Sequence, residues 1–174
     1  MTELQMASPT HATEHEHRDR LTGFGDRDKL VADLTQALEP GQPPALVAVF
    51  ELVGSDDYQR LSGKRASDAL IARHAERFAR AVGEAGVCYR PRQDEFCALL
   101  SGPIDAAKAT LFAAEQELND DETDSALIPV CFGAASLPDE GTDPTSLLVL
   151  ADQRLRLRMA NRKPRERRQT PRRQ

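Results

Sequence analysis

Residues 88–100, CYRPRQDEFCALL, place Arg92, Gln93, Asp94 and Glu95 in a row between two short apolar runs. The runs read as the strands of a β-hairpin and the four polar residues as its tip. A tight turn prefers glycine, asparagine or aspartate at positive φ. Two adjacent carboxylates beside two bulky polar side chains therefore call for a reason beyond turning the chain. The other groups that could do chemistry are weaker. His11, His15 and His17 sit among glutamates in HATEHEHRDR, a composition that can attract a metal but holds no geometry in a tail. The acidic run NDDETDS, residues 119–125, could attract calcium, but its spacing does not match an EF-hand loop and it reads as a solvated turn. Cys88, Cys97 and Cys131 lie in apolar strand-like segments without CxxC spacing, which points to buried free thiols rather than a metal site or disulfides. His74 falls in an apolar helical stripe, where a histidine packs at the edge of a core rather than catalysing.

The elements that must hold these groups alternate between helix and strand patterns. Asp26 is a candidate N-cap for a helix with Leu30, Leu34 and Leu38 at fourfold spacing, ended by EPGQPP. Ala45 to Leu52 reads as a buried strand. A helix over about 67–85 sets Leu70, His74, Phe78 and Val82 on one face. The hairpin follows, then a helix over about 105–118, a strand over 127–135 and a last helix over about 144–161. This order predicts an α/β sandwich with a central mixed sheet built from ferredoxin-like units.

With 174 residues and 40% hydrophobic content, one domain with a full core plus tails is expected. The longest apolar runs, such as ALVAVF at 45–50, are far shorter than a membrane span, and the N-terminus lacks a basic region followed by an apolar one. A soluble, cytoplasmic protein is expected, with no membrane partner. Charge is uneven. Residues 162–174 carry seven Lys or Arg and one Glu, a net +6 against −5 for the whole chain, which leaves −11 on residues 1–161. A proline-containing basic tail buries no apolar surface and reads as a disordered end; nucleic-acid binding through it would be salt-sensitive and non-specific.

Three stretches, taken together, resemble the GGDEF domains of diguanylate cyclases. DRLTGFGDR at 19–27 is similar to that family's D-x-L-T-G-L-x-N-R opening, and RPRQDEF at 90–96 stands where the family has R-x-G-G-D-E-F. FGAASLPDEGTDPTSLLVLADQRL at 132–155 resembles its S-x-G-x-A strand, loop and L-L-x-x-A-D-x-A-L helix. The matches run in order over 19–163. The implied organisation is a flexible tail at 1–18, a GGDEF domain at 19–163 and a basic tail at 164–174, with a nucleotidyl-cyclase-like sandwich as the fold.

The resemblance also implies roles. Such cyclases join two GTP molecules held by two facing domains, with two divalent metals at the displaced pyrophosphate. Glu51 and Asp94, with Glu95 beside it, then occupy the metal-ligand positions, which makes Mg²⁺ the implied cofactor and Asp94 and Glu95 vestigial catalytic residues. Gln59 stands for the asparagine that reads guanine, Asp68 keeps its aspartate partner, and Lys163 keeps a basic phosphate position. Arg92 and Gln93 fill both glycine positions, where side chains are expected to strain the turn and occupy nucleotide space. Arg92 either pairs with phosphate or pairs with a nearby acid. Val53, Asp56 and Met159 replace a second aspartate and two lysines, and Gly83 and Gly86 replace the R-x-x-D of an inhibitory product site. The reading that follows is a degenerate GGDEF domain, catalytically inactive. Its partners would be a protein, a guanine nucleotide and, as a homodimer, a second copy. The alternative is a residual Mg²⁺-dependent cyclase or slow nucleotide hydrolase using Glu51, Asp94 and Glu95.

Overall fold

The structure is a computed structural model, and it describes residues 17–120 and 128–161. Its elements are α1 (Arg27–Ala37), β1 (Ala45–Leu52), α2 (Ser55–Ser62), α3 (Lys64–Val82), β2 (Gly86–Arg92), β3 (Glu95–Ser101), α4 (Ile104–Asn119), β4 (Val130–Leu137) and α5 (Pro144–Asn161), with a 3₁₀ turn at Gly83–Ala85. The strands form one sheet in the order β2-β3-β1-β4. Every pairing of these strands is antiparallel, which corrects the expected mixed sheet. The reason is topological. Helix α3 joins β1 to β2 and α4 joins β3 to β4, and each crossover skips the strand lying between the two it links. Strands running the same way are thus never neighbours. The parallel pairing among the described residues is an isolated bridge from Gly25 to Tyr89.

Alternation along β1 assigns its two faces. Leu46, Ala48, Phe50 and Leu52 join a core with Leu70, Phe78, Val82, Leu111 and Leu118 from α3 and α4, while Val47 and Val49 join Leu30, Leu34, Leu147, Ala151 and Leu155 from α1 and α5. A strand buried on both faces reads as a continuous apolar run, as ALVAVFEL does. Phe78 anchors the first core, with ring centroids 4.8 Å from Phe50 and 5.5 Å from Phe96; such pairs contribute about 0.5–1.5 kcal/mol beyond area burial. On the second face Gly133 lets α5 approach, since a Cβ there would lie 2.1 Å from the Ala151 carbonyl oxygen.

Local signals explain most boundaries. The Asp26 side chain accepts from Lys29 N at 2.9 Å and caps α1. His74 is buried, its Nδ1 3.0 Å from Leu70 O, as its place in an apolar stripe predicts. No disulfide joins Cys88, Cys97 and Cys131. Helix α3 begins at Lys64, three residues earlier than expected, because α2 precedes it and Gly63 at φ 83° breaks the two apart. Strand β4 runs Val130–Leu137 rather than 127–135. As an edge strand it exposes a row of backbone groups. Side chains cover them: Asn119 bonds both polar groups of Val130, Arg158 donates to Phe132 O at 3.0 Å and Arg154 to Ala134 O at 2.8 Å. No described helix is long and apolar enough to cross a membrane. His11, His15, residues 121–125 of the acidic run, Lys163 and the basic tail lie outside the described residues.

Candidate functional site

The hairpin is held by a residue ahead of its tip. Strand β2 carries one more residue than β3 between the pairs Tyr89–Cys97 and Arg92–Glu95, a bulge at Arg90–Pro91. Pro91 has no N–H to give to a ladder, and a bulge tolerates it. The Arg90 side chain, 8% exposed, turns back under the tip. Its Nε and NH2 donate to Gln93 O at 3.2 and 2.7 Å, and its NH1 donates to Asp19 Oδ1 and Oδ2 at 3.0 and 3.2 Å. Asp19 also accepts from Thr22 N and Oγ1 at 2.9 and 2.7 Å. Burial raises the Asp19 pKa, but hydrogen bonds from Thr22 and Arg90 outweigh it and hold the carboxyl below its ordinary value. The DRLT segment is thus the far end of a brace on the hairpin, and backbone bonds between Gly25 and β2 continue it.

The turn that results is relaxed. No described residue other than glycine has positive φ, so Arg92, Gln93 and Asp94 turn the chain in ordinary backbone conformations. The expected turn strain is absent, because the bulge supplies the bend that glycines would otherwise allow.

Above the turn, Glu51 of β1 stands directly opposite Glu95 of β3, and Leu52 N donates to Asp94 O at 3.0 Å. Both glutamates have the parity of the α1/α5 face. Helix α5 brings Asp152 and Arg156 to the same place, with Arg156 Nε and NH2 on the Asp152 carboxylate at 2.9 and 3.2 Å. Like charges directly opposite in a sheet repel. Here Arg92 NH1 lies 3.6 Å from Glu95 Oε2, and the Glu95 side chain is only 15% exposed. Burial raises the pKa of Glu51, Asp94 and Asp152 push it further, and Arg156 and Arg92 pull it back. Burial likewise raises Glu95, opposed first by Arg92.

Three expected metal ligands, Glu51, Asp94 and Glu95, therefore share one end of the sheet. They do not converge. Among the described residues no group of three His, Cys, Asp or Glu side chains is close enough to hold a metal ion, and an arginine faces the best-buried carboxylate. The arrangement does not fit a divalent-metal site as it stands.

The nucleotide-reading candidates are dispersed. Gln59 lies within α2, and Asp68 in the second turn of α3 pairs with Lys64 at 2.6 Å. No hydrogen bond links Gln59 to Asp68. Arg92 and Gln93 are exposed on the hairpin, and Arg92 contacts an acid. Asp56 opens α2 beside Asp57, a pair of anions where the resemblance implies a cation. At Gly86 a Cβ would lie 2.4 Å from Leu99 O, so an aspartate side chain does not fit there without movement. Cavities of about 330 and 630 Å³ lie between α4, β4 and α5, and neither is lined by Glu51, Asp94 or Glu95.

Sequence reasoning missed Arg90, Asp152 and Arg156 as parts of this site. The fourfold spacing of Asp152 and Arg156 was visible, and in α5 the stripe 152, 156, 159 is one helical face. What was hidden was that this face looks onto Glu51 and Glu95.

The raised glutamates give a pH prediction with a definite sign. A carboxyl whose folded pKa lies above its unfolded value disfavours folding when ionised, and that cost disappears as pH falls toward the ordinary glutamate value of 4.5. Glu51→Gln with Glu95→Gln should raise the melting temperature at pH 7, with the gain shrinking toward pH 4. A double variant less stable than the parent at pH 7 would show that Arg92 and Arg156 more than offset the burial.

A sequence profile described as "Diguanylate cyclase, GGDEF domain" matches residues 16–167. A Mycobacterium bovis protein described as "Uncharacterized protein Mb1389c" is 32% identical over 146 residues, which cover 78% of this chain and 23% of that protein. The chain thus spans about a quarter of that relative's length. Among solved structures, diguanylate cyclase SiaD of Pseudomonas aeruginosa, in complex with its activator SiaC, superposes with a TM-score of 0.75 at 19% identity, over 86% of this chain and 60% of that one. The GGDEF domain of DgcB from Caulobacter crescentus, in complex with c-di-GMP, gives 0.69 at 21% identity, over 83% and 91%.

Proposed function

Because this chain belongs to the GGDEF family of diguanylate cyclase domains, we propose that it is a non-catalytic member acting as a signalling and interaction module in cyclic-di-GMP-linked regulation. The observation that carries this reading is the charge balance at the hairpin. Glu51, Asp94, Glu95 and Asp152 face two guanidiniums, and each of these sits against a carboxylate of the same site. A triphosphate entering here meets surplus negative charge. Two divalent ions would supply the missing positive charge in a working cyclase, but the carboxylates do not converge on one.

The chain's own residues then do less than catalysis. Arg90 and Asp19 fix the hairpin; Gln59 and Asp68 retain part of a guanine-reading pair. SiaD is held with an activator protein and DgcB with c-di-GMP, and a protein partner together with a guanine nucleotide is the partner set proposed here, in the cytoplasm where GTP is found. Homodimerisation through facing hairpins belongs to the second reading, a residual Mg²⁺-dependent cyclase or nucleotide hydrolase. That reading is favoured only by the shared location of Glu51, Asp94 and Glu95.

Incubation of the protein with GTP and Mg²⁺ or Mn²⁺, followed by chromatography, distinguishes the two. No cyclic di-GMP above a no-protein control is expected. Clear turnover would replace the module reading with the enzymatic one.

A further inference from the structure

We propose that the groove between α4, the β4 edge and α5 is a second ligand site, separate from the hairpin, and that it takes a small amphipathic carboxylate. The acyl chain lies on the apolar floor and the carboxylate accepts from Ala134 N–H and the guanidiniums of Arg154 and Arg158. The inference goes beyond the module reading and does not depend on it.

Strand geometry and side chains together leave this edge able only to donate. Residues of an antiparallel strand send N–H and C=O alternately to one side and then the other. Val130 gives its N–H and C=O to Asn119, at 3.1 and 2.9 Å, so Phe132, Ala134 and Ser136 face outward as well. Their carbonyls are taken. Arg158 NH1 donates to Phe132 O at 3.0 Å, Arg154 NH1 to Ala134 O at 2.8 Å and Glu140 N to Ser136 O at 3.0 Å. Ser136 N donates to Glu140 Oε2 at 2.8 Å. Ala134 N–H, in the bay between the two guanidiniums, has no acceptor among the described residues. An incoming β-strand needs acceptors as well as donors and finds these carbonyls engaged. An ionised carboxylate only accepts.

The walls fit an anion with an apolar body. The cavity, about 630 Å³, has the size of a small-molecule site. Its lining sets Lys108, Arg154 and Arg158 against Glu140, 3 − 1 = +2, or +1 when Glu115, the partner of Arg158, is added. That surplus runs against the −11 of residues 1–161. Arg158 spends two of its five donors, on Phe132 O and Glu115, and charge-assisted bonds to a carboxylate are the use left for the rest. Phe112 and Leu157 in the same lining are 52% and 64% exposed, and Leu46 and Leu111 are buried. An acyl chain laid over Phe112 and Leu157 removes their apolar surface from water.

Sodium octanoate, titrated into the full chain and followed by backbone amide shifts, tests the site. The Ala134 amide should move downfield and saturate with a Kd of about 1 mM or tighter, while the Leu52 and Glu95 amides at the hairpin stay in place. 1-Octanol has the same chain without the charge, and at equal concentration it should give at least about tenfold less of the Ala134 shift. Leu157→Glu puts a carboxylate at an exposed position of the lining and should weaken octanoate at least about tenfold. A silent Ala134 amide, octanol that matches octanoate, or a folded Leu157→Glu chain that binds as the parent does would each overturn the proposal. If Leu157→Glu fails to fold, Lys108→Ala at an exposed position carries the variant arm: weakening of at least about twofold supports the site and unchanged affinity refutes it. Cyclic di-GMP formation from GTP would sink the non-catalytic reading of the hairpin and leave this site standing.

Discussion

Arg90→Ala should lower the melting temperature by roughly 6–12 °C. Arg90 is almost wholly buried and spans two elements: one nitrogen holds both oxygens of Asp19, and two others hold the carbonyl of Gln93. Truncation leaves the partly buried Asp19 carboxylate without its cation and the Gln93 carbonyl without its donors. Removing one partner of a buried pair commonly costs about 3–5 kcal/mol, and the lower end applies because Asp19 keeps Thr22. Arg90→Lys should recover only part of the loss, since a single ammonium cannot bridge both acceptors. The hairpin gives a local readout. Leu52 N donates to Asp94 O, so faster amide exchange at Leu52 should accompany the loss. A shift of less than about 2 °C, with Leu52 still protected, would mean that the brace contributes nothing to the hairpin.

That brace marks the boundary of what a reading of the residues reaches. Elements with strong periodicity or punctuation were legible: the Asp26 cap, the Leu30–Leu34 stripe, the apolar run of β1 and the hairpin at 88–100 all stand where expected. Helix α2 was not, because SDDYQRLS has almost no apolar stripe and only Ser55 in it is buried. The antiparallel sheet was hidden because alternating helices and strands do not show that a third strand slips between each pair. At the site, the placement of Glu51 beside Asp94 and Glu95 followed from aligned motifs. The partners of these acids did not. Arg90 and Asp19 are 71 residues apart, and Arg156 beside Asp152 is indistinguishable in sequence from a solvated ion pair on a helix surface. Tertiary proximity decides the role of a charge, and periodicity is silent about it.

Repair of the hairpin separates two causes of inactivity. If Arg92 and Gln93 alone silence the site, replacing both with glycine should produce cyclic di-GMP. The expectation is that it does not. Removing Arg92 and Gln93 clears the turn, but a phosphate bound as the family resemblance implies still meets Asp56 and Asp57 at the start of α2 and the uncharged Met159 on the face of α5 that carries Asp152 and Arg156. Each missing cation at a transferring phosphate is worth on the order of 3 kcal/mol in the transition state, roughly a hundredfold in rate. Adding Asp56→Lys and Met159→Lys should strengthen GTP binding. Asp56 is exposed, so its replacement disturbs no packing, and the half-buried Met159 site accepts a lysine whose stem lies along apolar surface while its ammonium reaches solvent. Calorimetry with GTP and Mg²⁺ on the parent, the double and the quadruple variant should find by far the tightest binding in the last. Robust cyclic di-GMP from the double variant would place the whole loss in the turn. Absence of GTP binding by the folded quadruple variant would show that Gln59 and Asp68 do not serve as the proposed guanine-reading pair, in line with the ion pair that ties Asp68 to Lys64.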